Sequence, residues 1–376
     1  MKETVRYHGL DVLRAFAMIM GVVLHASMFY VKDIGPSLGY ALTGRILIPT
    51  SDAAGLIFFF IHFWRMPVFF LLAGFFARLI IEKHGTPNLI KNRFVRIVIP
   101  LVAGVIIYNL LFRFGSLHEL HHLWFLYDLV WMYVVIVIAR FSLQHYSGFS
   151  KRFDWFFQSS ARLWYLLLFL IPGTVIGRPG FFNSIHTSFG IPGPFFILGI
   201  LYFFIGWYMH RNSGILEILA GRWRWYLSLG ILCFAAVIFI LEGMETGKNS
   251  EQTTGLLWLI GSMFSSIGTF LIIFSLIGGS QSLFQRPSQF ISYAVDASYW
   301  IYLLHLVVVF AIAAYILKNT NLNPMTAIIT NIILTTLICV ATYHVFVRYT
   351  PIGWILNGTR KGFIPKLHPH TQTTDK

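Results

Sequence analysis

Long apolar runs separated by short polar segments dominate the chain from residue 10 onward. Read as helices, they predict ten membrane spans at 10–31, 54–82, 97–113, 122–140, 162–177, 194–210, 223–242, 254–278, 296–317 and 325–347. The second run is long and carries Arg65 directly before Met66-Pro67, so a kink or break is expected there. The fifth is short and stops at Pro172-Gly173. The first run, DVLRAFAMIMGVVLHASMFY (11–30), departs most from a plain span because it holds Asp11, Arg14 and His25. An α-helix turns by about 100° per residue, so Arg14 and His25, eleven residues apart, fall within roughly 20° of one face. Met18 and Gly21 lie on the same stripe. The pattern predicts an all-α integral membrane protein of about ten transmembrane helices, forming one domain over 1–376.

Composition agrees. Of the 376 residues 57% are hydrophobic and only 11% charged, which excludes a soluble single-core domain. The net charge of +14 would suggest nucleic acid in a soluble protein, but here membrane topology accounts for it. With the N-terminus inside, twenty of the 28 Lys and Arg fall on inner segments, six on outer ones and two, Arg14 and Arg65, within spans. That asymmetry predicts cytoplasmic N- and C-termini, and a basic cytoplasmic tail over 348–376. Cys233 and Cys339 both sit in apolar runs, so no disulfide framework is expected. The first run is longer than the apolar core of a secretory signal and is predicted to remain as a helix. Residues 32–53 and 178–193 are the longest outer segments and read as either a substrate rim or ordinary loops.

Ionisable groups within apolar spans are costly and usually face a protein interior or a wet cavity. Arg14 and His25 on one stripe therefore predict a polar track up the first helix, with Asp11 as a local partner for Arg14. The plainer reading of His25 is a hydrogen bond between packed helices. Arg93 and Arg96, at the inner start of the third span, form either a bidentate phosphate clamp or a positive-inside anchor. Arg65 shares a helix face with His62, and Asp128 in the fourth span is its possible carboxylate partner. His305, in the ninth span, serves either a structural hydrogen bond or a substrate. His118, Glu119, His121 and His122 cluster on an outer segment but lack zinc-hydrolase spacing, so no metal is expected. No P-loop, dinucleotide fingerprint or Gly-x-Ser-x-Gly elbow occurs. Buried charges around a cavity suit either a membrane enzyme or a transporter.

Five stretches carry a resemblance: LDVLRAFAMIMGVVLH (10–25), RMPVFFLLAGFF (65–76), NRFVRIVIPL (92–101), HLWFLYDLV (122–130) and SYWIYLLHLVVV (298–309). In this order they resemble the acyltransferase-3 family of membrane acyltransferases, and most resemble its branch that adds succinyl groups to periplasmic glucans. The resemblance implies a multi-pass inner-membrane enzyme, with the bilayer and a carbohydrate acceptor as partners. It would move an acyl group from cytoplasmic acyl-CoA to an extracytoplasmic hydroxyl, with acyl-CoA as co-substrate and no tightly bound cofactor. His25 is then the expected base or nucleophile, Arg14 and Asp11 support it, and Arg65 is a candidate oxyanion donor. Arg93 and Arg96 would hold the donor phosphates, and Gly21 would leave room for its thin arm. His62, His122, Trp124, Asp128 and His305 are expected on the substrate side. The acyl group, the acceptor and the oligomeric state are left open.

Overall fold

The computed structural model describes residues 7–32, 34–44, 48–112, 119–143, 162, 164–167, 170–172, 189–190, 193–245, 251–286 and 288–358. Half of the expected fifth span, outer residues 178–188, His118 and the tail beyond 358 lie outside the described residues. Among those described, all regular structure is helical. The helices are α1 (His8–Ser27), α2 (Gly35–Thr43), α3 (Asp52–Arg93), α4 (Ile99–Phe112), α5 (Trp124–Leu143), α6 (Pro194–Arg211), α7 (Ile215–Glu245), α8 (Glu251–Leu283), α9 (Gln289–Asn319), α10 (Pro324–Thr342) and α11 (Pro351–Asn357). Wide π turns at Phe94–Val98 and Tyr343–Val347 follow α3 and α10.

Seven stretches are long and apolar enough to cross a membrane: His8–Tyr30, Asp52–Leu111, His121–Ser142, Ile215–Met244, Gly255–Leu283, Gln289–Asn319 and Pro324–Val347. The difference from ten has three sources. The expected second and third spans are continuous in Asp52–Leu111, the sixth is the shorter apolar helix Phe196–Arg211, and the fifth is described only in short pieces. A straight helix of 60 residues would run about 90 Å, about three times the hydrocarbon thickness. The chain is broken instead at Gly85, whose φ of 81° and ψ of 169° leave the helical region.

The break expected at Pro67 is therefore at Gly85, and the reason is a hydroxyl. Pro67 has no N–H, so the Phe63 carbonyl four residues earlier loses its usual donor. Thr269 of α8, wholly buried, donates to that carbonyl at 3.0 Å. With the orphaned group satisfied from a neighbouring helix, α3 continues through the proline and carries Arg65 on regular backbone.

α1 packs against α3, α8, α9 and α10 and so occupies the middle of the bundle. α3 and α6 approach closely: a Cβ on Gly74 would collide with the Phe203 carbonyl, and one on Gly206 with the Leu71 carbonyl. Small residues permit such backbone contact between apolar helices, where packing has to replace the hydrophobic effect. Two further elements sit where the sequence suggests only connections. The first outer segment folds into α2, which packs against α9. Residues 351–357 form α11, which packs against the Phe94–Val98 turn, so the start of the expected cytoplasmic tail belongs to the folded body.

Candidate active site

α1 contributes to two cavities at different heights. The first, about 160 Å³, is lined by Arg14 and Met18 of α1, Arg93, Arg96 and Ile97 from the α3–α4 junction, Tyr133 of α5, Asp296 and Tyr299 of α9, and Leu356 and Asn357 of α11. Three guanidinium groups against one carboxylate make it a cavity for anions. Arg14 pairs with Asp11 at 3.6 Å, and its guanidinium lies 5.6 Å from the Phe76 ring centre. Arg93 stands 4.9 Å from the Tyr133 ring centre. Asp11 does not line the cavity but pairs with Arg14, which does.

The second cavity, about 280 Å³, is lined by His25 of α1, His62, Arg65 and Phe69 of α3, His121 and His122 before α5, Trp124 and Phe125, and Tyr302 of α9. Apolar Leu24, Met28, Met66, Leu306 and Phe310 complete the wall. Phe69 and Phe125 line both cavities, with ring centres 5.2 Å apart. The two spaces therefore meet at one aromatic wall.

Three imidazoles gather here. The His25 ring centre is 5.2 Å from that of His305 and 6.5 Å from that of His122, and His122 and His305 are 5.3 Å apart. Backbone partners fix the tautomers of His305 and His122. His305 Nδ1 lies 2.7 Å from the Tyr302 carbonyl, which only accepts, so Nδ1 carries the proton and Nε2 the lone pair. His122 Nε2 donates to the same carbonyl at 3.1 Å, leaving the lone pair on Nδ1. His25 Nδ1 lies 3.4 Å from the Met28 thioether, a weak acceptor; in the tautomer with the proton on Nδ1, Nε2 is the basic nitrogen. The Tyr302 hydroxyl returns a bond to the His122 carbonyl at 3.0 Å and ties α9 to α5. Among the described residues, His305 Nε2 and His122 Nδ1 have no hydrogen-bond partner, and no three potential ligands converge as a metal site would require.

Arg65 is 6% exposed and has no carboxylate partner among the described residues. Its Nε donates to the Ala17 carbonyl at 2.9 Å, and its guanidinium lies 5.6 Å from the Phe69 ring centre. This fixes the base of the fork and leaves the Nη groups beside the cavity. Gly21 makes the arrangement possible. A Cβ there would overlap Arg65 Nη2 and stand 3.4 Å from His305 Nε2. The space at Gly21, expected to admit the donor's arm, is thus filled by the Arg65 side chain.

The structure groups the sequence-derived candidates unevenly. His25, His62, Arg65, His122 and Trp124 line one cavity, and Arg14, Arg93 and Arg96 the other. His305 is wholly buried and borders the imidazole group without lining the cavity. Asp128, expected to face substrate or to pair with Arg65, is also wholly buried and lines neither cavity, because its position on α5 turns it into the core. Residues not expected at the site from sequence are His121 and Tyr302 in the histidine cavity and Tyr133, Tyr299 and Asn357 in the arginine cavity. The i,i+3 spacing of Tyr302 and His305 was a usable signal; nothing near Asn357 hints that the chain returns to the arginines.

Comparison with known proteins bears on this arrangement. The acyltransferase-3 family model, described as an acyltransferase domain, matches residues 7–344. Curated relatives include glucans biosynthesis protein C of Salmonella typhi and of Salmonella typhimurium, each 24% identical, with alignments covering 94% of this chain and 95% of the relative. The same protein of Salmonella paratyphi A is 25% identical over the same shares. No solved structure matches the chain significantly. Between an enzyme and a transporter the match favours the enzyme: over nearly its whole length, this chain belongs to the acyltransferase-3 family of membrane acyltransferases.

Proposed function

We propose that the chain is a multi-pass inner-membrane O-acyltransferase that takes its acyl group from cytoplasmic acyl-CoA and delivers it to a hydroxyl of an extracytoplasmic glycan. The observation that carries this reading is the stacking of an arginine-lined cavity and a histidine-lined cavity along α1, with one shared wall at Phe69 and Phe125. The twenty inner basic residues support placing the arginine end in the cytoplasm. The names of the curated relatives support a glucan acceptor. At about 1.5 Å per residue, Arg14 and His25 stand about 16 Å apart along the helix, comparable to an extended pantetheine arm. The nucleotide end sits against the arginine cavity, its phosphates on Arg93 and Arg96, and the arm passes the aromatic wall toward His25.

In this reading His25 Nε2 accepts the proton of the acceptor hydroxyl as its oxygen attacks the thioester carbonyl. The negative charge that develops on the carbonyl oxygen is met by the Arg65 Nη groups, already held in place by Ala17 and Gly21. Collapse breaks the C–S bond. Coenzyme A leaves as thiolate and takes the proton from His25, so the ester and the free thiol balance the reactants.

The test is purified protein with labelled acyl-CoA and a glycan acceptor. His25→Ala should lower kcat by about 100- to 10,000-fold at normal expression. Full transfer by that variant would defeat the mechanism. A wild-type protein unable to bind acyl-CoA would defeat the function.

A further inference from the structure

Of the three prolines in the long Asp52–Leu111 stretch, Pro67 and Pro100 interrupt the hydrogen-bond ladder next to the cavities, and both are answered in the same way. Pro67 frees the Phe63 carbonyl, which the Thr269 hydroxyl takes. Pro100 frees the Arg96 carbonyl, which the Tyr299 hydroxyl of α9 takes. At the first position the outcome is a continuous helix. At the second the backbone widens into the π turn Phe94–Val98, from which Arg93 and Arg96 reach the arginine cavity. Such turns inside helices re-aim side chains and concentrate at functional sites. Tyr299 also lines this cavity, so one side chain touches both the backbone of the turn and the space the arginines face.

We infer that Tyr299 is a positioning residue for the donor clamp. By donating to the Arg96 carbonyl that Pro100 leaves open, it holds the π turn in the register that points Arg93 and Arg96 into one cavity. The inference rests on the reading that these arginines hold the donor phosphates. Tyr299 acts through backbone, so its loss should show as weaker donor binding rather than slower chemistry.

Tyr299→Phe keeps the ring and removes only the hydroxyl. It is expected to raise the KM and Kd for acyl-CoA about tenfold with kcat little changed, in line with one lost buried hydrogen bond. Hydrogen exchange of the peptide over residues 92–101 should rise in parallel. The decisive arm is the double variant Tyr299→Phe with Pro100→Ala. The alanine supplies a backbone N–H four residues on from the Arg96 carbonyl, so with the α register restored there donor affinity and exchange protection should return toward wild type. Unchanged donor affinity and exchange in Tyr299→Phe overturn the inference. So does weakened affinity that Pro100→Ala does not rescue, because the hydroxyl then contacts the ligand directly. Arg96→Ala separates the underlying reading: if it leaves coenzyme A binding intact, the donor clamp fails, while the exchange data still judge whether Tyr299 holds the turn.

Discussion

Arg65 and Gly21 show how much at this site depends on single atoms. A guanidinium at 6% exposure needs its hydrogen bonds supplied, and the Ala17 carbonyl satisfies Nε while Nη2 occupies the space that a side chain at 21 would fill. Gly21→Ala does not disturb helical backbone, since alanine is the better helix former. It does force Arg65 Nη2 to move. If Arg65 stabilises the oxyanion, Gly21→Ala should lower kcat about tenfold or more while the KM for acyl-CoA stays within about twofold, as steady-state kinetics would show. An unchanged kcat would remove Arg65 from the oxyanion role. His305 illustrates the same dependence. Its Nδ1 is committed to the Tyr302 carbonyl, and its free Nε2 points to the same corner as Arg65.

At the level of elements, α3 is held by what neighbouring helices contribute to it. It continues through Pro67, where α8 presents a hydroxyl, and is broken internally at Gly85, where the backbone adopts a positive φ. Thr269→Val keeps the shape of the side chain and strips the donor. The Phe63 carbonyl would then be buried without a partner, at a cost of about 1–3 kcal/mol. Thermal unfolding of the detergent-solubilised variant should show a lower midpoint, with kcat per folded molecule within about twofold of wild type if Arg65 keeps its place. An unaltered midpoint would mean that the helix tolerates Pro67 without help. The long apolar runs predict both the helical state and the rough limits of α3. The bond that keeps it whole joins residues 206 apart in the chain.

Across the whole molecule, Phe69 and Phe125 are shared by the arginine cavity and the histidine cavity. If the two rings seal the path, they keep water and protons from passing between the arginine cavity and the histidines. Phe125→Ala opens it. This variant is expected to hydrolyse acyl-CoA in the absence of acceptor several-fold faster than wild type and to lower the fraction of acyl groups reaching the glycan, both measurable from free coenzyme A against labelled product. Hydrolysis at the wild-type rate would show that the ring does not seal the path. α11 belongs to this scale too, since Leu356 and Asn357 close the arginine cavity from a segment that reads in sequence as the start of a tail.

Much can be read from residue order alone. Apolar runs bounded by Gly, Pro and charge predict helices and a membrane, because backbone polar groups in hydrocarbon must be satisfied within the segment. The Asp11–Arg14 pair is equally local, set by the i,i+3 geometry of one helix. Motifs from 10 to 309 carry the family. Which charged groups meet is a different matter. His25 and His305 stand 280 positions apart, and whether they face one another depends on the rotation of α1 and α9 about their axes. Spans apolar on nearly every side encode that rotation weakly. Packing decides it: Gly21 against Arg65, Tyr302 against His122, Tyr299 against Arg96. The same packing turned Asp128 into the core and brought Asn357 back to the arginines.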